Sequence, residues 1–138
     1  MLGSPDADFK ETFEAVVGDW DPAEWARLFK RAGARYVVLV TKHHDGFCLW
    51  PSEVKNPNQD AWTTKRDVVG ELASAVRAEG LRFGVYYSGG IDWSFNTKPV
   101  RTIVQFIGST PGGDYPAYAE AQVRELIEIR RASCRERV

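Results

Sequence analysis

The run Tyr36-Val37-Val38-Leu39-Val40-Thr41 constrains the fold more than any other stretch of the chain. Its unbroken β-branched and apolar character suits a strand covered on both faces, and such strands belong to parallel sheets flanked by helices. A second run, Leu81-Arg82-Phe83-Gly84-Val85-Tyr86-Tyr87-Ser88, repeats the setting. Helical periodicity closed by a glycine precedes each run. Asp21-Pro22 opens the first helix, Trp25, Leu28, Phe29 and Ala32 form its expected buried stripe, and Gly33 ends it. Arg66-Asp67 opens the second, with Val68, Val69, Leu72, Ala75 and Val76 as its stripe and Gly80 as its stop. The order helix, glycine, strand, polar loop thus occurs twice. It implies right-handed crossover units and an α/β fold with parallel strands near 36–41 and 82–88.

The other segments are plainer. Residues 1–20 read as an irregular lead-in holding at most a short helix, and Pro51 to Lys65 as a long surface connection. Ile103 to Ile107, inside a Pro-, Gly-, Ser- and Thr-rich stretch, fits a short strand or a packed loop. Tyr115 to Ile129 is a third helix, with Tyr118, Val123, Leu126 and Ile127 on its buried side and Gln122 and Glu125 among its polar positions. Two strands and three helices neither close a barrel nor cover a sheet, so the chain reads as a segment of a larger α/β domain. The tail Arg130 to Val138 lacks the next strand that the pattern demands and resembles the translation of a sequencing adapter. The expected division is therefore a partial domain over 1–129 and a non-native tail over 130–138.

With 43% hydrophobic residues, a chain of 138 residues has enough apolar material for a core. A formal net charge of -1 without a clustered basic face argues against nucleic acid as a partner. The first twenty residues carry Asp6, Asp8, Lys10 and Glu11 where a leader would have a basic start and an apolar run, and no membrane span is read. Cys48 and Cys134 have no zinc-like spacing and are not expected to pair.

The chemistry-bearing residues gather after the two strands. Thr41-Lys42-His43-His44-Asp45-Gly46-Phe47-Cys48-Leu49-Trp50 follows the first, and Gly89-Gly90-Ile91-Asp92-Trp93 the second. Parallel neighbours would place His43, His44, Asp45, Trp50, Tyr86, Tyr87, Asp92 and Trp93 at the carboxyl edge of one sheet. Neutral imidazoles, tyrosine hydroxyls and tryptophan faces are what a sugar needs, a directional partner for each hydroxyl and an aromatic plane for each C–H face. Adjacent histidines in extended chain face two ways, so at most one need point at any single ligand. Two rival readings use the same residues. A metal-dependent hydrolase could employ His-His-Asp, but adjacent histidines rarely reach one ion and the chain has no third, so no metal is expected. A non-catalytic carbohydrate-binding barrel is the other.

The blocks Glu24-Trp25-Ala26, Ala32-Gly33-Ala34-Arg35-Tyr36, Lys42-His43-His44-Asp45-Gly46-Phe47, Trp50-Pro51-Ser52, Arg66-Asp67-Val68-Val69-Gly70-Glu71-Leu72 and Gly84-Val85-Tyr86-Tyr87-Ser88 carry a specific likeness. Together they resemble the catalytic domain of the α-L-fucosidases, family 29 of the glycoside hydrolases, from Phe9 to Ile129. The resemblance implies an incomplete (β/α)8-like, TIM-type barrel segment from a retaining enzyme that removes α-linked L-fucose from glycans and glycoconjugates without a cofactor. It implies that His43, His44 and Tyr86 bind fucose hydroxyls and that Trp50 and Phe47 shape the loop around the sugar; strand alternation turns Tyr87 the opposite way from Tyr86. Asp45 and Asp92 would brace their loops and Trp93 would support the second. A retaining mechanism needs two carboxyl groups about 5–5.5 Å apart. The resemblance puts the nucleophilic aspartate at the strand end after the third helix and the acid/base further on, outside this chain, and a further sugar-binding histidine on a strand upstream. Asp45, Asp92 and Asp114 are accordingly not assigned as catalysts, and the chain alone is expected to be inactive. Family members act largely in secreted, periplasmic or lysosomal settings. The resemblance allows a homo-oligomeric parent.

Overall fold

In a computed structural model, which describes residues 5–98 and 100–135, the elements are α1 (Pro5–Gly18), α2 (Pro22–Arg31), β1 (Tyr36–Lys42), α3 (Val68–Ala78), β2 (Arg82–Tyr87), α4 (Ile103–Ile107) and α5 (Tyr115–Arg135). The helix caps lie where the sequence places them. Asp21 accepts from the Ala23 N–H at 2.8 Å and Asp67 from the Gly70 N–H at 2.9 Å, each satisfying a free donor of the first turn. Gly33 and Gly80 follow the helix ends with φ of +82° and +74°.

Strands β1 and β2 form a two-stranded parallel sheet, with Tyr36 opposite Arg82, Val38 opposite Gly84 and Val40 opposite Tyr86. The register then slips, and Lys42 rather than Thr41 meets Tyr87. This irregularity breaks the two-residue alternation, leaving both Thr41 and Lys42 buried at the strand end. Helix α3 covers one face with Val69, Leu72 and Val76 against Leu81 and Phe83. The expectation of two covered faces is not met: Tyr36, Val38 and Val40 stand outward, Val38 with 53% of its surface exposed. No other described element lies over that face.

The helix stripes also differ from the simple periodic reading. In α2 the fully buried residue is Ala26, which lets the helix approach α3 closely, while Trp25, Leu28 and Ala32 are exposed. Trp25 packs edge-on to Trp20 and Phe29 at the surface instead. In α5 the inward line is Tyr115, Tyr118, Gln122 and Leu126, so Gln122 is buried and Val123 and Ile127 are exposed. The polar groups it turns inward meet the surroundings of the buried Lys42: Gln122 accepts from the Tyr87 hydroxyl that in turn accepts from the ammonium, and the Tyr115 and Tyr118 rings face that ammonium. Helix α5 also runs past Ile129 to Arg135, through residues with neither glycine nor proline; 136–138 of the expected tail lie outside the described residues.

Two segments, the lead-in expected to hold at most a short helix and the stretch expected as a short strand or packed loop, are helical. Helix α1 has fourteen residues and packs Phe9 and Phe13 edge-on against Phe47. Ile103–Ile107 is a short exposed helix, neither strand nor packed loop, capped by Thr102, which accepts from the Gln105 N–H at 3.2 Å. The Gln105 side chain reaches back to the Arg101 N–H at 2.8 Å. The connection after Trp50 is tied down by Glu125, which accepts from the Trp50 indole at 2.8 Å, the Ser52 hydroxyl at 2.6 Å and the Glu53 N–H at 2.9 Å. Trp62 and Thr64 of that connection are buried, so it is only partly a surface loop.

Candidate functional site

The two loops after the parallel strands are joined from the backbone outward. The Ser88 N–H donates to the Lys42 carbonyl at 3.0 Å, the Thr41 hydroxyl to the Tyr86 carbonyl at 2.8 Å and the Trp93 N–H to the His44 carbonyl at 2.7 Å. A turn closed by the Gly46 N–H on the His43 carbonyl at 3.1 Å ends the extended run immediately after Lys42. Because the chain bends there, His43 and His44 do not alternate. Their rings stack, centroids 4.0 Å apart and planes 28° from parallel. The Tyr86 ring lies 6.3 Å from His43 and the Trp93 ring 5.6 Å from His44. His43, His44, Tyr86 and Trp93 therefore share one open edge at the carboxyl ends of the strands, where a rigid sheet fixes the backbone and the loops present side chains.

Burial, and then the neighbouring His43, hold the His44 imidazole below its ordinary value of 6.5, against an opposing pull from Asp45. A neutral ring has one N–H donor and one acceptor nitrogen, the pairing a hydroxyl group requires.

The remaining site residues read from the sequence lie elsewhere. Trp50, expected beside a ligand, is only 1% exposed, belongs to the core and spends its indole N–H on Glu125. Its position two residues beyond the bridge that Cys48 makes to Lys42 turns it under the sheet, away from the histidines. Phe47 is likewise buried, edge-on to Phe9, Phe13 and Trp62. Asp45 accepts from the Phe47 N–H at 2.7 Å, and its carbonyl accepts from the Trp62 indole at 2.9 Å, so it braces the histidine loop. Tyr86 and Tyr87 face opposite ways: Tyr86 is exposed, and the Tyr87 hydroxyl is held by Lys42 at 3.0 Å and donates to Gln122 at 2.8 Å. Burial raises the Tyr87, Tyr115 and Tyr118 hydroxyls well above the usual phenol value, keeping them protonated donors.

Sequence reasoning missed the residue beneath the edge. Lys42 has no exposed side-chain surface and donates to Asp92 at 2.6 Å, also wholly buried. The rings of Tyr87, Tyr118 and Tyr115 surround its ammonium, with centroids 4.5, 5.2 and 5.4 Å away. The available signal was a lysine closing an otherwise apolar strand, with an aspartate in the partner loop.

A separate cavity of about 650 Å³ lies under the 51–63 connection, lined by Asn56, Trp62, Tyr118 and Gln122 among others, and none of the four edge residues borders it. Among the described residues no group of three His, Cys, Asp or Glu is placed to hold a metal ion, and no helix is long and apolar enough to cross a membrane.

Fold and edge together define the class: an α/β protein whose chemistry-bearing side chains gather at the carboxyl edge of a parallel sheet. The family model for alpha-L-fucosidase matches residues 6–130, and the chain belongs to that family. Among curated relatives, it is 51% identical over 87 residues to tissue alpha-L-fucosidase of Macaca fascicularis, covering 62% of this chain and 18% of that protein. It is 52% identical over 112 residues to putative alpha-L-fucosidase 1 of Oryza sativa subsp. japonica, covering 79% and 19%. Among solved structures, Thermotoga maritima alpha-fucosidase in complex with fucose superposes with a TM-score of 0.81 at 48% identity, over 94% of this chain and 30% of that one. The chain thus spans less than a fifth of the length of these curated relatives.

Proposed function

We propose that this chain supplies part of the fucose-binding edge of a retaining α-L-fucosidase, and that β1 and β2 are neighbouring strands of a (β/α)8 barrel. The observation that carries the reading is the stacked His43–His44 pair set between Tyr86 and Trp93 on one open strand edge. A pyranose offers hydroxyls to the imidazoles and the tyrosine, and a C–H face or methyl group to the indole. The fucose bound by the Thermotoga relative supports this choice of sugar. The outward face of Tyr36, Val38, Val40 and Tyr86 would then look into the barrel, where alternating inward side chains form layers.

The chemical step needs a carboxylate nucleophile and a carboxylic acid flanking the scissile bond. Neither carboxylate of the two loops is free for it. Asp92 is buried against Lys42, and Asp45 is engaged by the Phe47 N–H. The chain's role in this reading is to orient fucose by its hydroxyls, with a fucosylated glycan as the partner. Calorimetric titration with L-fucose tests it. Saturable heat that disappears in His43→Ala, with no release of aryl alcohol from an aryl α-L-fucoside, is expected; absence of heat in the unaltered chain, or turnover by it, refutes it.

A further inference from the structure

Beneath the histidine pair, seven side chains close a ring of hydrogen bonds. Lys42 donates to Asp92 at 2.6 Å, Asp92 accepts from the Ser94 hydroxyl at 2.5 Å, and Ser94 accepts from the Asn56 amide at 2.7 Å. Asn56 also reaches the Tyr118 hydroxyl at 3.4 Å, which accepts from Gln122 at 2.9 Å. Gln122 accepts from the Tyr87 hydroxyl at 2.8 Å, and that hydroxyl accepts from Lys42 at 3.0 Å. The ring joins the ends of both strands, both loops and α5. Its two charges have no side-chain exposure.

A buried ion pair is a weak source of net stability, since the cost of desolvating both charges offsets most of their attraction. Such pairs are better at fixing one geometry among several. The geometry fixed here is local and specific. Lys42 immediately precedes His43, and Asp92 immediately precedes Trp93. The two loops so anchored are also joined by the Trp93 N–H, which donates to the His44 carbonyl. Asp92 also lies so close to Gly46 that a Cβ there would stand 2.6 Å from its Oδ1. The histidine loop and the tryptophan loop are therefore positioned against each other through the Asp92 carboxylate, and Lys42 is the group that holds that carboxylate in place.

We propose that Lys42, through Asp92, is a positioning residue that sets the His43–His44 stack against Trp93 for ligand binding. The ligand part of this inference rests on the fucose-binding reading above; the positioning part rests on the ring alone. Only two histidines are present, so their imidazole Cε1–Hε1 resonances report the geometry directly, and the Trp93 ring gives His44 a ring-current signature.

Three forms of the chain separate positioning from stability: the unaltered sequence, Lys42→Met, and Lys42→Met with Asp92→Asn. The single variant leaves a carboxylate buried without its cation and is expected to lose stability. The double variant removes both charges at similar volume and is expected to regain most of its thermal midpoint. Positioning predicts that the recovery does not extend to the site. In the double variant the His44 signal loses its Trp93 shift, the His44 imidazole titrates differently from that of the unaltered chain, and L-fucose affinity falls at least tenfold. A double variant that keeps the unaltered imidazole shifts, titration and fucose affinity overturns the proposal. Failure of the unaltered chain to bind L-fucose strikes at the binding reading alone, because the imidazole spectra still decide the role of Lys42.

Discussion

Replacing Gly46 by alanine tests the joint between the two loops in the most direct way, because two separable costs fall on one methyl group. Gly46 has φ of +80°, a left-handed conformation that costs an L-residue about 1–2 kcal/mol. The added Cβ would also meet Asp92 Oδ1 at 2.6 Å, Ser94 Oγ at 3.1 Å and Asp92 Cγ at 3.2 Å. Asp92 cannot simply turn aside. Its Oδ2 is held by Lys42 at 2.6 Å and its Oδ1 by the Ser94 N–H at 3.0 Å and hydroxyl at 2.5 Å. Displacing it weakens at least one charge-assisted bond, worth about 1.5–3 kcal/mol. Gly33→Ala is the control, since φ is +82° and nothing lies within 4 Å of the added carbon. It is expected to lose about 1–2 kcal/mol, and Gly46→Ala about 2.5–5 kcal/mol. Equilibrium urea unfolding followed by tryptophan fluorescence gives both numbers. Equal losses in the two variants would refute the close packing of the histidine loop on Asp92.

Other outcomes follow from burial and charge. Trp50→Phe removes the indole bond to Glu125 and is expected to cost about 1–3 kcal/mol in urea unfolding, while L-fucose affinity stays within about twofold; a large affinity loss at unchanged stability would return Trp50 to the ligand. His44 is held below 6.5 in the folded chain, so the unfolded chain binds more protons as pH falls. The His44 contribution is fully kept above about 6.5 and is lost as pH drops through that value toward the folded one, and His44→Gln should flatten this part of the stability profile. A profile that steepens instead contradicts the assigned direction. The Cys48 thiol is buried and pushed up to about 12, so native protein at pH 8 should leave the peptide His43 to Lys55 unalkylated by iodoacetamide, with modification appearing only in denaturant. Rapid labelling of the native protein would show that the packing around Gln122 opens.

Local signals with a single physical cause were readable in the sequence. Asp21-Pro22, Asp67, Gly33 and Gly80 act on their own turns, and the helix ends fall where they predict. The parallel pairing of β1 and β2 also follows from a helix too long for any hairpin between them. Thr102 caps Ile103–Ile107 and the Gln105 side chain accepts from the Arg101 N–H just before it, a local helix signal that the β-branched Ile103 and Val104 obscured.

What could not be read depends on contacts distant in sequence. The register slip at Thr41 buries Lys42 through Asp92, Tyr87 and α5, none of which periodicity within β1 can reveal. Gln122 faces inward, where it joins Tyr87, Tyr118 and Cys48, and Val123 and Ile127 stay outside. The histidine stack was misjudged because a two-residue alternation was carried one turn too far. Trp50 was placed at the sugar by the resemblance and by its position in the loop after β1, whereas the structure packs it into the core.

The claim that the strand edge is a fucose-binding surface is tested most directly by recording the two histidine imidazole resonances during parallel titrations with L-fucose and its mirror image, D-fucose. The account predicts saturable shifts of both His43 and His44 with L-fucose and none with the enantiomer, since hydroxyl recognition by stacked imidazoles, Tyr86 and Trp93 is stereospecific. Unmoved imidazoles at saturating L-fucose, or equal responses to the two enantiomers, would contradict it.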